Sequence, residues 1–386
     1  MEPKEARPLL ANYREEFPVT KDFVYLDHAG VSPIPLRTVE AVRRFLVQAS
    51  TKGLFSYDAW VREADSARAA CAELIGACRE EVSFVKNTSH GISIVARGLR
   101  WVEGDNLVIA DREFPSNVYP WLALRGRGVD VRTVPLRDDG SISLDDVERM
   151  IDSRTRLVSV SSVQYWNGFR VNLEALGDLC SRKGVYLFVD AIQSLGAVPM
   201  DVGRFKIDFL AADGHKWLLA PEGTGVFYCR KGLEEELDPP LLGWKSVEDE
   251  YDYDTVHFKL KPNALRFEEG SLNFMGIMAL GASVQMLLEV GIDRVHARIT
   301  ELCDMVIAQA ESRGYAVRTP RDKESRAGII SFVGDFNPQE VKEKLKEKGA
   351  MVNVRGGGLR VSPHFYNSDE DIMVFFDLLD GALGRK

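Results

Sequence analysis

From about residue 81 onward, short β-branched or apolar runs alternate with helical segments, and this alternation constrains the fold more than any other feature of the chain. The runs are Leu107–Ala110, Val129–Val134, Leu157–Val160, Val185–Val189, Phe209–Ala211 and Gly225–Tyr228. Between them, Val118–Arg125, Leu144–Met150 and Asn172–Lys183 read as helices. Apolar runs too short for a helix, separated by segments of helical period, predict an α/β domain with a mostly parallel sheet. Val39–Gln48 and Ala59–Leu74 add helices upstream. After Phe227 the texture changes, and Glu234–Lys261 is rich in charge, proline, glycine and aromatic residues. A long helix over about Ile277–Glu311 is expected next, then a strand in Gly328–Val333, a helix near Pro338–Lys348, a strand near Leu359–Ser362 and a last helix from Ser368. A chain of 386 residues exceeds one ordinary domain. The expected division is an N-terminal arm at 1–20, a large sheet domain at 21–262 and a smaller α+β domain at 263–386.

Composition narrows the partners. A formal net charge of −9 argues against nucleic acid, whose phosphates select basic surfaces. The five cysteines, Cys71, Cys78, Cys180, Cys229 and Cys303, form no CxxC pair, so neither a disulfide framework nor a zinc site is expected. Met1–Leu10 mixes charges of both signs and has no apolar signal region. The most apolar stretch, Ile277–Val290, is interrupted by Ser283, Gln285 and Glu289 and reads as a core helix rather than a membrane span. The expectation is a cytoplasmic protein with a small-molecule substrate, no membrane, no metal and no nucleic acid.

Ligand-binding side chains of parallel sheets gather at the carboxyl ends of strands. Two candidates stand there: Val185–Val189 runs into Asp190, and Phe209–Ala212 runs into Asp213-Gly214-His215-Lys216. Burial disfavours a lysine's charge, lowers its pKa and makes the amine a nucleophile. Such an amine condenses with an aldehyde, and pyridoxal phosphate (PLP) is the aldehyde cofactor that demands it, together with an acid facing its ring nitrogen. Asp190, 26 residues upstream of Lys216, suits that acid. Singly, a surface lysine and a helix-capping aspartate would be the plainer readings.

Taken together, Val189-Asp190-Ala191-Ile192-Gln193-Ser194-Leu195-Gly196, then Asp208-Phe209 and Gly214-His215-Lys216-Trp217, resemble the class V aminotransferase family, and the resemblance extends over most of the chain. That family, which includes cysteine desulfurases, kynureninase and isopenicillin N epimerase-like proteins, has the aspartate-aminotransferase-like fold type I. The resemblance implies Lys216 as the Schiff-base lysine, Asp190 at the pyridine nitrogen, Gln193 near the ring hydroxyl and His215 near the phosphate. It implies Thr88 and Ser89, in Asn87-Thr88-Ser89-His90-Gly91, as phosphate ligands at a helix start, where amides and hydroxyls favour an anion. Phe114, in Glu113-Phe114-Pro115-Ser116-Asn117, would stack on the cofactor, with a buried core phenylalanine as the rival reading. In Ser161–Gly168, Gln164 or Tyr165 contacts the ring or substrate. Asp213 stands where many relatives carry serine, and an acid beside a phosphate is unfavourable, so it is expected to point elsewhere, into a salt bridge. Ser271 resembles a residue that crosses a dimer interface to the partner's phosphate, which implies a homodimer with shared active sites.

For the substrate, Arg360 in Gly358-Leu359-Arg360-Val361-Ser362 aligns with the family's carboxylate-binding arginine, and a guanidinium grips a carboxylate with two parallel bonds. Arg355, nearby in a glycine-rich loop, is the weaker candidate for that carboxylate, and a solvated surface charge is the preferred reading. His28, in Tyr25-Leu26-Asp27-His28-Ala29-Gly30, is either a substrate contact or a structural turn histidine. Desulfurases carry a catalytic cysteine shortly before the carboxylate-binding arginine; Met351–Leu359 has none. The resemblance therefore implies a PLP enzyme acting on an amino acid, transamination by family default, with epimerisation or carbon–sulfur lysis as the alternative. A catalytically silent binding protein of the same fold is the reading from another class.

Overall fold

After a two-residue strand β1 (Val24–Tyr25), seven strands build the central sheet: β2 (Val82–Val85), β3 (Asn106–Ala110), β4 (Asp130–Val134), β5 (Thr155–Ser161), β6 (Tyr186–Asp190), β7 (Phe209–Asp213) and β8 (Gly225–Cys229). The computed structural model describes residues 12–385. The sheet order is β2-β8-β7-β6-β5-β3-β4. Strands β3 to β7 run parallel to their neighbours among them, and β8 is antiparallel to both β7 and β2. All six expected runs are strands. Strands β3, β7 and β8 are buried along their whole length, because the sheet is covered on both faces. Alternate side chains feed two cores: Val189 and Leu210 belong to one, Phe188 and Phe209 to the other. Each such buried side chain contributes roughly 1.5–3 kcal/mol.

Helices α1 (Leu36–Thr51), α2 (Tyr57–Ile75), α3 (Thr88–Gly98), α4 (Leu144–Met150) and α5 (Leu173–Lys183) precede or cross over between strands. The Asn172 side chain caps α5 by accepting from the Ala175 N–H, and Gly184 ends it at φ +67°. Asn87 caps α3 in the same way through His90 N–H at 2.9 Å.

The expected single long helix is two: α6 (Phe274–Val290) and α7 (Ile292–Ser312) meet at 82°. Gly291, at φ +88° and ψ +120°, makes the break. Apolar periodicity runs across that glycine, so the sequence pattern hid the corner. No single helix among the described residues is long and apolar enough to cross a membrane.

The C-terminal region adds β9 (Ala316–Val317), β10 (Ile330–Val333), β11 (Ala350–Met351), β12 (Asn353–Arg355) and β13 (Gly358–Val361), with helices α8 (Pro338–Glu347) and α9 (Asp369–Ala382). Its four-stranded antiparallel sheet has the order β12-β13-β10-β9. Packing crosses the division expected at residues 262 and 263 in both directions. β1 pairs in parallel with β11, and Asp27 bridges to Ser362, so residues 24–27 hydrogen-bond into the C-terminal region. Conversely, α6 packs on α1 and α2. The N-terminal arm expected at 1–20 lies outside the described residues up to 11; from residue 12 it is docked. Arg14 pairs with Asp371 on α9 at 2.7 Å, and the buried Phe17 ring stacks on Tyr366 at 3.6 Å. Partners so distant in sequence leave no periodic trace.

Candidate active site

Register puts the two candidate groups side by side. Asp190 ends β6 opposite Ala211 of β7, two residues before Asp213, and Lys216 lies on the turn that follows. That turn is gripped from three sides. Ser32 N–H donates to the His215 carbonyl at 2.8 Å, and Trp217 Nε1 donates to Gln193 Oε1 at 2.9 Å. His364 Nε2 lies 3.1 Å from the Trp217 carbonyl, and its Nδ1 accepts from Phe365 N–H, so Nε2 carries the proton and donates. Gly196, at φ +98°, allows the Trp217 carbonyl to pack against it, since a Cβ there would stand 2.3 Å from that oxygen.

Lys216 is 8 % exposed, and burial, with the charge of Arg360, pushes its pKa down to about 8 against the pull of Asp190, Asp213 and Asp27. Asp190 is 1 % exposed; burial pushes its carboxyl up to about 6, opposed by the Ile192 N–H at 3.1 Å and by Lys216. An amine near 8 is neutral often enough to be a nucleophile at ordinary pH. Both groups thus keep desolvated charge that the protein alone does not fully compensate, the pattern of a functional site.

Lys216 opens on a cavity of about 300 Å³ that Phe114, Tyr165, Gln193, His215, Arg355 and Arg360 also line. Its Nζ sits 5.5 Å from the centre of the Phe114 ring, which meets Tyr165 edge to face at 5.3 Å. Phe114 is 38 % exposed and lines the cavity, so it is not a buried core residue. A larger groove, about 1690 Å³, lies between α4, α5 and the 317–325 segment. Lys216 does not line it, so the chemistry selects the smaller cavity over the larger.

The remaining candidates divide. Thr88 Oγ1 accepts from Asp213 N–H at 3.0 Å, and Ser89 donates to Ser116 at 2.8 Å, which ties the start of α3 to the Lys216 turn and to the Phe114 loop. Neither lines the cavity itself. Gln193 lines it and donates to the Ala29 carbonyl at 3.1 Å. Asp213 points into a contact with His215, Oδ2 to Nδ1 at 2.9 Å, and its other oxygen accepts from Gly214 N–H. Tyr165 faces the cavity, whereas Gln164 turns away and donates to Glu113 at 3.0 Å. Ser271 is exposed and off the cavity within one chain.

Two expectations are corrected. His28 is fully buried and does not line the cavity: Nδ1 donates to the Ser362 carbonyl at 2.8 Å, and Nε2 takes the Tyr366 hydroxyl at 2.7 Å. Both ring nitrogens are spent, and burial pushes the pKa down to about 4, so it is a structural histidine rather than a substrate contact. Arg355, read as a solvated surface charge, lines the cavity. Arg360 is 1 % exposed; it pairs with Asp27 at 2.8 Å, donates to the Tyr165 carbonyl at 2.9 Å, and keeps a buried Nε with no partner.

Sequence reasoning also missed Glu113. It is 5 % exposed, accepts from Ser161 N–H at 2.8 Å and from the Ser161 hydroxyl, and burial, with Asp190 adding, pushes it up to about 7. An acid at the end of a strand and turn carries no mark in sequence that separates it from a surface residue.

The model for aminotransferase class-V matches residues 24–375, and the chain belongs to that family. A probable cysteine desulfurase of Methanothermobacter thermautotrophicus is 33 % identical over 96 % of this chain and 97 % of its own. An uncharacterized aminotransferase of Bacillus subtilis, YcbU, is 29 % identical over 93 % and 94 %. Among solved structures, the apo cysteine desulfurase of Thermococcus onnurineus NA1 superposes with TM-score 0.89 at 28 % identity, covering 97 % of this chain and 98 % of that one. The cystine C–S lyase C-DES, solved with its product cysteine persulfide, shares the fold at TM-score 0.88 and 22 % identity, covering 94 % and 99 %. The fold is PLP fold type I, and PLP is the cofactor of this class V enzyme. The residues present fit it: a buried amine of lowered pKa, a buried carboxylate on the neighbouring strand end, a flat ring above the amine and a capped helix start tied to the same turn.

Proposed function

We propose that this enzyme cleaves the Cβ–S bond of a sulfur-bearing α-amino acid by β-elimination. One observation carries the reading: a buried amine and a buried guanidinium with an unpartnered Nε open on the same cavity, and no cysteine lines it. Of the five cysteines, Cys78 is exposed and the other four are buried elsewhere. Relatives named cysteine desulfurase support sulfur chemistry, and a cavity without a thiol favours release of the sulfur over its transfer to the protein.

The bound cofactor supplies the carbonyl that receives the substrate amine and the electron sink that acidifies its α-proton. Arg360, oriented by Asp27, grips the α-carboxylate. Lys216 would hold the cofactor and then remove the substrate's α-proton as general base. Asp190 would keep a proton on the cofactor's ring nitrogen. The Cβ–S bond then breaks, the sulfur leaves as a thiol, and water takes the remaining three-carbon unit to pyruvate and ammonia. Thr88, Ser89 and His215 would hold the cofactor's phosphate end, and Phe114 and Gln193 would hold its ring.

Transamination is the second reading, favoured by the resemblance to YcbU. The active unit is proposed to be a homodimer. Leu54, Phe55 and Val256 are 82 %, 98 % and 94 % exposed, a degree of apolar exposure that a second copy of the chain would cover, and Ser271 is free to reach a partner's site.

The test is a product assay on the cofactor-loaded protein with cysteine and S-substituted cysteines. Pyruvate and thiol in equal amounts, without an added 2-oxo acid, are expected. Turnover that requires a 2-oxo acid acceptor and releases no thiol would replace this reading with transamination.

A further inference from the structure

The cavity holds two guanidinium groups and one carboxylate to match them. Asp27 is committed twice, through Oδ1 to Arg360 and through Oδ2 to Asn353 at 2.8 Å. Arg355, at the end of β12, donates only to the Asn353 side-chain oxygen at 3.2 Å and the Val354 carbonyl at 3.0 Å. No carboxylate among the described residues pairs with it. The two guanidinium groups sense each other, since the Arg355 charge adds to burial in lowering Arg360 below its ordinary value. Gly356 and Gly357, at φ +56° and +76°, turn the chain directly behind Arg355, and Gly356 packs on the Trp166 ring.

A zwitterionic amino acid with a neutral side chain leaves this imbalance as it finds it. Its carboxylate meets the Arg360–Asp27 pair and its ammonium goes to the Lys216 side, so the net charge near Arg355 is unchanged. We infer that the site selects an amino acid whose side chain carries a second anionic group, held by Arg355 while Arg360 holds the α-carboxylate. This rests on the amino-acid reading above and names the substrate class within it: for carbon–sulfur cleavage, a cysteine whose sulfur bears an acid-bearing group. Guanidinium–carboxylate contacts are charge-assisted and directional, so a half-buried Arg355 is enough to discriminate.

The experiment is a binding titration, read by the visible absorbance of the cofactor-loaded protein, with two pairs of ligands matched in length: 2-aminoadipate against norleucine, and S-carboxymethylcysteine against S-ethylcysteine. The acidic member of each pair is expected to bind roughly tenfold more tightly, the size of one good charge-assisted contact. That preference should shrink with added salt. Arg355→Gln should abolish it, shifting the affinity for acidic ligands far more than that for norleucine, and Arg355→Lys should restore part of it, which also separates lost charge from lost folding. No preference in the unsubstituted protein, or equal weakening of acidic and neutral ligands by Arg355→Gln, overturns the inference and leaves the amino-acid reading standing. A band indifferent to every amino acid overturns both.

Discussion

The two walls of the cavity treat polar groups in opposite ways. On the sheet side, Lys216 and Asp190 stand at adjacent strand ends with desolvated charges that the protein only partly answers. On the other side, the N-terminal segment and the C-terminal sheet saturate the histidines and Asp27 and leave open only Arg355 and the Nε of Arg360. His28 has two partners, His364 has two, and Asp27 is shared between Arg360 and Asn353. The difference assigns labour. The unsaturated wall carries reactive groups whose cost is met only when cofactor and substrate arrive, and the saturated wall holds a guanidinium still and pins the lysine's turn.

Lys216→Ala breaks the comparison most completely, because the reactive amine is unique in the cavity. The visible band of the cofactor-bound lysine should fail to form on addition of PLP, and turnover should fall by about a thousandfold or more. Thermal melting of the cofactor-free variant should be no lower than that of the unsubstituted protein, since a buried charge of depressed pKa is removed. A variant that kept the band and full turnover would remove Lys216 from the mechanism.

Asp190→Asn sharpens the contrast between function and stability. Turnover should drop by roughly a hundredfold or more, because the ring nitrogen loses its counter-charge. In the cofactor-free protein at pH 7 the same change should stabilise by roughly 1–2 kcal/mol, since a buried carboxylate raised from 3.8 to about 6 is kept charged at a cost there. The sign follows from proton counting. Between pH 4 and 6 the folded state binds more protons at Asp190 than the unfolded state, so its contribution to stability falls as pH rises through that window. On the saturated wall His28 runs the other way: its pKa is depressed to about 4, so its contribution is present above 6.5 and is lost as pH falls toward 4. Urea unfolding from pH 4 to 7 should therefore show a steeper acid loss in Asp190→Asn than in the unsubstituted protein. An unchanged slope would mean that Asp190 is not the strained group described.

The same contrast explains what was legible in the sequence. Asp190 and Lys216 each follow a short apolar run, and strand ends of a parallel sheet are where such sheets bind ligands, so local pattern pointed at them. Six strands and most helices were readable because burial on both faces writes itself as continuous apolar runs. The saturated wall depends on contacts between residues some 330 positions apart, such as Asp27 with Arg360 and His28 with Ser362. Nothing local distinguishes a histidine that caps a carbonyl from one that meets substrate, or an arginine that lines a cavity from one in water. Glu113 escaped for the same reason: its burial is created by Ser161 and Gln164, about fifty residues away.

The smallest effect expected, and the one that tests how the walls are joined, belongs to His364. Its Nε2–H is the donor on the Trp217 carbonyl, one residue past Lys216, and it reaches across from the C-terminal region. His364→Phe keeps the ring volume and removes the donor, leaving a buried carbonyl short of a partner at about 1–3 kcal/mol of stability. If the contact only stabilises, turnover at saturating substrate will be unchanged once the variant is folded. If it also positions Lys216, turnover will fall several-fold with the KM little changed, and amide exchange across Trp217–Leu219 in the cofactor-free protein will quicken. His364→Gln, which can present a side-chain N–H from the same backbone position, should recover part of both. Full recovery of stability without recovery of turnover would separate the two walls and leave the lysine's placement to Ser32 and Gln193 alone.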